Sequence, residues 1–272
     1  MRALLGKLER SWLFVPGDRP ERFDKALASG ADGVILDLED AVAPERKKIA
    51  CEAVLSALDS KPAHSFWVRA SGRATDFNAL EMQIMRHPSI VGVMVPKTDT
   101  AYDIDGYVAL CRDDAGCIAL IETARGVSNL PAIAQARGLT RMCMGNLDLL
   151  HDLNASSERV VNHVLITLAI TARTAGLPPP IAGVTPQLGQ PALLDDESRT
   201  AVALGCFGKP CIHPQQIAAV HSAHAPDEAR VAWAHEIVAL ARGGAVFHHE
   251  GQMVDASVIR MAENVLRLPN RT

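Results

Sequence analysis

Short, uninterrupted apolar runs alternate with segments of helical periodicity along most of this chain. Apolar runs without polar alternation predict strands that are covered on both faces, as in a parallel sheet. Eight strand–helix units in series favour a closed barrel, so we predict an α/β fold, a (β/α)8 TIM barrel, over residues 1–222. The first strand is not followed by the G-x-G-x-x-G pattern of dinucleotide-binding folds. The predicted strands cover residues 11–16, 33–38, 64–70, 92–95, 117–121, 141–144, 181–184 and 209–212.

The pattern changes after residue 222. Residues 226–241 and 256–266 have helical periodicity, and Glu250-Gly251 between them has the composition of a hairpin turn. We therefore predict a C-terminal lid extension of helices and a hairpin over residues 223–272. Such a lid would cover either its own barrel or the barrel of a neighbouring subunit.

The composition of the chain argues against some classes of binding partner. The 272 residues are 48% hydrophobic, enough for a large core, and a net charge of -4 argues against nucleic acid or an anionic membrane as partner. No run approaches the ~20 apolar residues of a membrane helix, and residues 1–10 lack a signal-peptide core, so we expect a cytoplasmic protein. None of the six cysteines forms a C-x-x-C pair, and we expect buried free thiols.

Charged side chains recur at the predicted carboxyl ends of the strands, where the active sites of such barrels lie. A charge at the end of an apolar strand is costly to desolvate unless it is paired or binds a ligand. Because packing alone does not explain so many, we predict the active site here. These residues are Asp37, Glu39, Asp40, Arg69, Lys97, Glu122, Asp148 and His213.

Glu122 and Asp148 are our predicted metal ligands. They follow adjacent strands, so their carboxylates can converge. Magnesium often takes only one or two protein carboxylates and leaves its other positions to water and substrate. A cation held here would stabilise the charge of an enolate. The alternative interpretation is that these two acids cap loops or pair with Arg69 and Arg125.

Arg69 presents a fork of donors that suits a substrate carboxylate. A structural ion pair with Asp37 or Glu39 is the alternative, and both roles can coexist. Three acids after the second strand exceed what one metal needs, so some of them would hold Arg69 or water. Asp40 would otherwise cap the next helix.

Lys97 and His213 are more ambiguous. Lys97 fits either a Schiff-base lysine of a metal-free aldolase or, as we favour, an ion-pair partner of the acids. His213 precedes Pro214 at a strand end and suits loop hydrogen bonding as well as catalysis. The adjacent His248-His249 pair lacks the i,i+4 spacing of a helical metal site, and we expect it at the surface.

Several motifs along the chain match one known family in order. The first of these motifs is Ser11-Trp12-Leu13-Phe14-Val15-Pro16-Gly17-Asp18-Arg19-Pro20-Glu21-Arg22-Phe23. It resembles the citrate lyase β-subunit-like family of the HpcH/HpaI aldolase superfamily over nearly its whole length. The other motifs are Asp37-Leu38-Glu39-Asp40-Ala41-Val42, Val68-Arg69, Pro96-Lys97, Ile121-Glu122-Thr123-Ala124, Gly145 to Leu149, Gly208-Lys209-Pro210-Cys211-Ile212-His213-Pro214 and Gly251-Gln252-Met253-Val254-Asp255.

The resemblance implies a magnesium-dependent barrel that acts on acyl-CoA substrates such as citryl-CoA or malyl-CoA and assembles as trimers or hexamers. It places Glu122 and Asp148 on the metal ligands and Arg69 on the substrate-carboxylate arginine. Asp255 matches a lid aspartate that reaches a neighbouring subunit's site in malyl-CoA-handling relatives. Arg19, at the start of the first helix, is a candidate for a CoA phosphate or a plain surface residue.

The candidate site residues are thus three sets. Arg69, Glu39, Asp40 and Asp255 are the catalytic candidates, and Asp255 from a partner chain is our leading candidate for the general base. Arg69, Asp37, Arg19 and Lys97 are the substrate-binding candidates. Glu122 and Asp148 are the metal candidates.

The chain departs from the family pattern at three places. Asn146 and Leu147 precede Asp148, where relatives commonly carry a small residue and a glutamate. Ser71 stands where asparagine is common, and Ala256-Ser257 follows Asp255 where a proline is usual. The first two changes touch the predicted site and leave the substrate open.

The function we predict is that of a Mg²⁺-dependent carbon–carbon lyase or aldolase acting on an acyl-CoA through a metal-stabilised enolate. Three alternatives stay open: a β-hydroxyacyl-CoA (malyl-CoA) thioesterase, a CoA-independent 2-oxo-acid aldolase, and a non-catalytic subunit that binds an acyl-CoA or oxo acid.

Overall fold

A curled parallel sheet of seven strands forms the centre of the protein. The computed structural model describes residues 8–60, 64–72, 79–241 and 246–267. The strand order is β6-β5-β4-β3-β2-β1-β7. The first six strands therefore lie side by side in the order in which they follow along the chain, and β7 lies next to β1. The strands are β1 (Ser11–Pro16), β2 (Gly33–Asp37), β3 (Phe66–Arg69), β4 (Ile90–Val95), β5 (Gly116–Ile121), β6 (Arg141–Met144) and β7 (Lys209–Cys211).

Residues 180–182 connect the two edges of this sheet. Ile181 forms a parallel bridge with Cys143 on the β6 side, and the Met144 amide donates to the Ile181 carbonyl at 3.0 Å. On the other side the Ala182 amide donates to the Gly208 carbonyl at 3.0 Å. Backbone hydrogen bonds therefore continue from β6 to β7, although the strand predicted over 181–184 is reduced to one bridge.

Asn146 supplies the physical reason for this short strand. Its Nδ2 donates to the Val184 carbonyl at 3.0 Å, and its Oδ1 accepts from the Val184 amide at 2.9 Å. A side-chain amide thus takes the place of a neighbouring strand beyond residue 182. The prolines at positions 178–180 have no amide hydrogen to extend the ladder in the other direction.

Helices cover the outer face of the sheet. Short 3-10 turns at Pro20–Arg22, Pro44–Arg46 and Pro214–Gln216 lead into the helices that begin at Phe23, Lys47 and Ile217. The helices are α1 (Phe23–Leu27), α2 (Lys47–Ser60), α3 (Ala79–Arg86), α4 (Ala101–Val108), α5 (Ala124–Ser128), α6 (Leu130–Ile133), α7 (Asn146–Asp152), α8 (Glu158–Ala175), α9 (Pro191–Ala203), α10 (Ile217–His224), α11 (Glu228–Leu240) and α12 (Ala256–Val265). The longest, α8, begins after Ser157, which caps its start, and ends before Gly176, which has a φ of 76°.

The core has two layers. The larger lies between the sheet and the helices, and a smaller one fills the inside of the curl around Trp12, Ile35, Met94, Ile118 and Ile181. Trp12 packs edge-on against Trp67, with ring centroids 5.1 Å apart. Gly92 and Gly116 lie against the Trp67 ring, where a Cβ atom would collide with it. These glycines make room for the aromatic pair.

The C-terminal extension has a small apolar core of its own around Ala234, Ile237, Val254 and Ala262. Its hairpin pairs β8 (Phe247–His249) with β9 (Gln252–Val254) through Glu250-Gly251, the turn predicted from the sequence. Arg260 and Glu263 of the last helix, and Arg267 just after it, line a cavity of about 530 Å³ with Pro178 and Gly205, which precede strand segments. The helix therefore lies toward the amino ends of the strands in the single chain.

Two further expectations concern membranes and thiols. Among the helices in the described part of the chain, none has the length and hydropathy needed to cross a bilayer. All six cysteines are free; five are buried and Cys111 is half-buried, which confirms the prediction of unpaired thiols.

Candidate active site

The predicted charged residues gather at the carboxyl-terminal edge of the sheet. Asp37 and Arg69 are register partners at the ends of β2 and β3, and Ile121, which precedes Glu122, pairs with Met144 of β6. Since β2 to β6 are sequential neighbours, the loops that follow them converge on one region. A cavity of about 280 Å³ opens there, and its lining includes Asp37, Asp40, Arg69, Glu122 and Asp148.

Arg69 is held by a bidentate ion pair with Asp37. Its Nε donates to Asp37 Oδ1 at 2.8 Å and its Nη2 to Oδ2 at 2.6 Å, while Nη1 lies 3.1 Å from Glu39 Oε2. The guanidinium also lies over the Phe14 ring, 4.9 Å from its centroid. Burial lowers the pKa of Arg69, but the hydrogen bond and charge of Asp37 outweigh it, and the pKa is raised. The structural ion pair is thus present, and Arg69 also lines the cavity.

Glu39 and Lys97 form the next link in this network. The Lys97 ammonium donates to Glu39 Oε1 at 2.9 Å and lies 3.8 Å from Asp40 Oδ1. Partial burial lowers the pKa of Lys97, but the hydrogen bond and charge of Glu39 raise it overall. A Schiff-base lysine needs a lowered pKa, so this environment favours the ion-pair role. Asp40 does not cap the next helical turn, whose N-cap is Ala43.

Glu122 is as deeply buried as Asp37, with 1% of its surface exposed. Its Oε1 accepts a hydrogen bond from the Lys97 backbone amide at 2.7 Å. Burial and the nearby charges of Glu39 and Asp148 raise the pKa of Glu122 to about 8, although the Lys97 amide opposes this. The protein alone therefore leaves negative charge poorly compensated at this carboxylate.

Asp148 is held by α7, which begins directly after the Gly145 that follows β6. It lies in the first turn of this helix, is half-buried, and lines the same cavity as Glu122. The Asn146–Val184 hydrogen bonds attach the start of α7 to the segment after Ile181. The two predicted metal ligands are thus brought to one cavity from adjacent strands.

This pair of carboxylates fits a hard divalent cation. Within the described ranges no three His, Cys, Asp or Glu side chains are grouped as a metal-binding cluster, so the protein offers two carboxylates and no more complete cage. Mg²⁺ is the ion that accepts such a partial oxygen set, with water and ligand oxygens in its remaining positions. Burial and the repulsion from Glu39 and Asp148 together raise the Glu122 pKa, and a bound cation would offset that repulsion.

Part of the cavity lining is apolar. Leu147 and Ile212 are 48% and 42% exposed, which is high for large aliphatic side chains, and both line the cavity. Leu147 is one of the departures from the family pattern. The cavity lining therefore combines charged and aliphatic side chains, the usual composition of a small-molecule site.

Three predicted residues lie elsewhere in the single chain. Arg19 is exposed beside Asp18, with 4.0 Å between Nε and Oδ1, and it does not line the described cavity. Asp255 caps α12 by accepting from the amides of Ser257 at 2.8 Å and Val258 at 3.0 Å. His213 caps the Pro214–Gln216 turn, since its Nδ1 accepts from the Gln215 amide at 3.2 Å. His248 and His249 lie on β8 of the extension.

Sequence reasoning missed the roles of Gly145 and Asn146. A Cβ on Gly145 would lie 2.5 Å from Glu122 Cβ, so the absence of a side chain there makes room for the buried acid. Asn146 was visible only as a departure from the family pattern. A glycine directly after an apolar strand, next to predicted ligands, was the available signal.

Comparison of this chain with known proteins identifies its relatives. Residues 10–214 match the family model described as HpcH/HpaI aldolase/citrate lyase, and residues 168–269 match a C–C bond lyase family of the TIM-barrel fold. The chain is 37% identical to a citrate lyase subunit beta-like protein of Mycobacterium tuberculosis, over 94% of each chain. It is 29% identical to a (3S)-malyl-CoA thioesterase of Cereibacter sphaeroides, over 85% of this chain and 82% of that protein.

Two further comparisons bear on the chemistry of the relatives. An L-malyl-CoA/beta-methylmalyl-CoA lyase of Cereibacter sphaeroides is 28% identical over 95% of this chain and 93% of its own. The crystal structure of CitE from Mycobacterium tuberculosis in complex with magnesium, acetoacetate and coenzyme A superimposes with a TM-score of 0.82. That structure is 35% identical in sequence and covers 98% of both chains.

Proposed function

The chain belongs to the HpcH/HpaI aldolase/citrate lyase family, with its TIM-barrel-type fold, and we therefore propose that it is a Mg²⁺-dependent carbon–carbon lyase acting on an acyl-CoA such as citryl-CoA or malyl-CoA. The observation that carries this proposal is the placement of Glu122 and Asp148 in one cavity beside Arg69. A lyase relative that cleaves malyl-CoA and a related structure with magnesium and coenzyme A support it.

Glu122 and Asp148 would hold the cation. When bound, it supplies positive charge beside the oxygen on which negative charge develops during bond cleavage. Arg69 binds a carboxylate of the substrate, because its guanidinium lines the cavity and its charge is secured by Asp37. Asp37 and Glu39 keep the guanidinium in place, and Lys97 keeps Glu39 in place.

The bond that breaks joins the hydroxyl-bearing carbon to the carbon next to the thioester carbonyl. The hydroxyl group loses its proton to a base and becomes the carbonyl of the oxo-acid product, and the electron pair of the broken bond passes toward the thioester carbonyl. The carbon next to the thioester carbonyl then takes up a proton, which leaves acetyl-CoA as the second product when malyl-CoA is cleaved. Glu39 and Asp40 form ion pairs with the Lys97 ammonium and are the candidate groups for proton movement.

The general base we propose is Asp255 from a neighbouring subunit. In the single chain this carboxylate caps α12 and is absent from the lining of the described cavity. A homotrimer or hexamer would let residues 223–272 act as a lid on a partner's barrel of residues 1–222. Arg19 stays our candidate for a CoA phosphate, since it is exposed beside the carboxyl end of β1.

A thioesterase is the second candidate, because one relative is a (3S)-malyl-CoA thioesterase. Product analysis of the purified protein with malyl-CoA, citryl-CoA and Mg²⁺ separates the two. The lyase yields acetyl-CoA and an oxo acid, and EDTA abolishes the reaction. Free CoA with intact malate would establish the thioesterase instead. Cleavage of 4-hydroxy-2-oxo acids without CoA, or binding without any turnover, would contradict both.

A further inference from the structure

Lys97 has a backbone conformation that is unusual for its residue type. Its φ is 45°, in the left-handed region that favours glycine and asparagine. The other described non-glycine residues with positive φ are Asn154 and Glu250, which lie in turns. Lys97 also lies in a turn, but its turn directly follows the buried strand β4 at the edge of the candidate active site. Such conformations at a site often serve to aim a group.

The chain carries one extra residue at this point. The Ala70 amide donates to the Met94 carbonyl at 3.3 Å, so Met94 faces β3 and, in a regular strand, Val95 and residue 97 would face β5. The next hydrogen bond to β5 is instead donated by Thr98, whose amide lies 3.1 Å from the Leu120 carbonyl. The turn of Pro96 and Lys97 after β4 thus inserts one residue before the next hydrogen bond to β5, as a β-bulge does, and we call this turn the bulge.

The bulge is anchored on both sides. Before it, Val95 is in register with Ala119 of β5. After it, the Thr98 side chain is fully buried and its hydroxyl donates to the Val95 carbonyl at 2.9 Å. Gly126 packs so closely on the Thr98 carbonyl that a Cβ there would lie 2.5 Å away. The conformation of Lys97 is therefore set by its neighbours rather than by its own exposed side chain.

The amide released from the ladder donates to Glu122. The distance from the Lys97 amide nitrogen to Glu122 Oε1 is 2.7 Å. The Lys97 ammonium has different partners, Glu39 at 2.9 Å and Asp40 at 3.8 Å. The backbone and the side chain of this residue thus act on different carboxylates. With Oε1 occupied by the amide, Oε2 is the oxygen that lies against Gly145.

We propose that Lys97 is a positioning residue whose left-handed backbone fixes Glu122 for cation binding, independently of the lysine charge. This inference rests on the metal site of the proposed function. The bulge holds the amide in place before a cation arrives, so the carboxylate does not have to be ordered on binding. Residue types that tolerate positive φ should therefore preserve cation affinity at position 97, whatever their charge.

The test compares neutral residues at position 97, all of which lack the ammonium. Lys97→Gly and Lys97→Asn tolerate the left-handed conformation, whereas Lys97→Val resists it because of its branched Cβ. The Mn²⁺ affinity, measured by EPR of the free ion, should be within about threefold of the wild-type affinity for Lys97→Gly and Lys97→Asn. For Lys97→Val it should be about tenfold weaker than in the wild type. Lys97→Ala, which resists positive φ more mildly, replaces Val if that variant does not fold.

The matched control is Glu250, which has φ 47° in the exposed hairpin turn. Glu250→Val should lower the melting temperature relative to Glu250→Gly without changing Mn²⁺ affinity. Equal Mn²⁺ affinity across the Lys97 variants, or an effect of Lys97→Val confined to the melting temperature, would overturn the proposal.

Glu122→Gln separates this inference from the proposed function. If Glu122→Gln loses Mn²⁺ binding while the Lys97 series is flat, only the positioning role is wrong. If Glu122→Gln binds Mn²⁺ as the wild type does, the metal site is wrong and both proposals fall.

Discussion

Gly145 lies directly against Glu122, so closely that a Cβ at position 145 would be 2.5 Å from Glu122 Cβ and in collision with the carboxylate. Glu122 directly follows β5 and Gly145 directly follows β6, and the Gly145 amide donates to the Ile121 carbonyl at 2.9 Å. The buried carboxylate thus occupies space that any other residue at 145 would fill. Two consecutive strands are fitted to each other at the predicted ligand.

Gly145→Ala should therefore weaken divalent-cation binding by tenfold or more, because the new methyl group displaces the Glu122 side chain. Calorimetric titration with Mg²⁺ measures the change. Gly189→Ala is the matched control, since a Cβ at that position meets nothing within 4 Å, and its affinity should equal that of the wild type. Unchanged Mg²⁺ affinity in Gly145→Ala would show that Glu122 is not a ligand.

Asn146→Ala should destabilise the protein by about 1–3 kcal/mol, since two hydrogen bonds to the Val184 backbone are lost. It should also weaken Mg²⁺ binding, because Asn146 attaches the start of α7, which carries Asp148. Urea unfolding and calorimetric titration give the two values. A loss of stability with unchanged Mg²⁺ affinity would mean that α7 is held in place by other contacts.

Arg69→Met should destabilise the protein by about 3–5 kcal/mol, because Asp37, which is 1% exposed, keeps a charge without its partner. Adding Asp37→Asn removes that charge, so the double variant should regain much of the stability but no activity toward malyl-CoA. Unfolding curves and steady-state kinetics distinguish the two roles. Recovered turnover in the double variant would show that Arg69 has only a structural role.

His224 should make stability fall in mild acid. Burial lowers its pKa to about 4, below the usual histidine value of 6.5; its Nδ1 donates to the Val220 carbonyl at 2.8 Å, and its ring packs edge-on against Phe207. The unfolded state therefore binds the proton more readily, and stability is lost as the pH falls from 6.5 toward 4. From pH 7 to pH 5 this site alone should contribute a loss of about 2 kcal/mol.

Unfolding free energies of His224→Met at pH 7 and pH 5 measure this contribution. The variant should lose less stability over that interval than the wild type, by the same amount. His235→Met, at an exposed position on α11, is the control and should follow the wild type. Equal losses for all three proteins would show that His224 takes up its proton without unfolding.

The sequence was sufficient for the features that depend on local pattern. The predicted bounds of β1 and β6 match the structure, because a continuous apolar run is a local signal. The acids at 37, 39 and 122 were found because polar residues directly after an apolar strand are conspicuous. The turn at Glu250-Gly251 was found in the same way.

Long-range contacts set what the sequence did not reveal. The strand predicted over 181–184 is short because Asn146, distant in the sequence, bonds to Val184. The helix α7 was missed since its seven residues follow a strand without a capping side chain. The left-handed Lys97 depends on how β4 and β5 pair after Val95, which one sequence alone does not show.

The central claim is that Glu122 and Asp148 hold one divalent cation between adjacent strands. Crystals grown with Mn²⁺ in place of Mg²⁺ test it through the anomalous signal of the metal. We predict a single peak in this cavity at about 2 Å from a carboxylate oxygen of each residue. A peak that contacts neither acid, or an empty cavity at saturating Mn²⁺, would contradict the account.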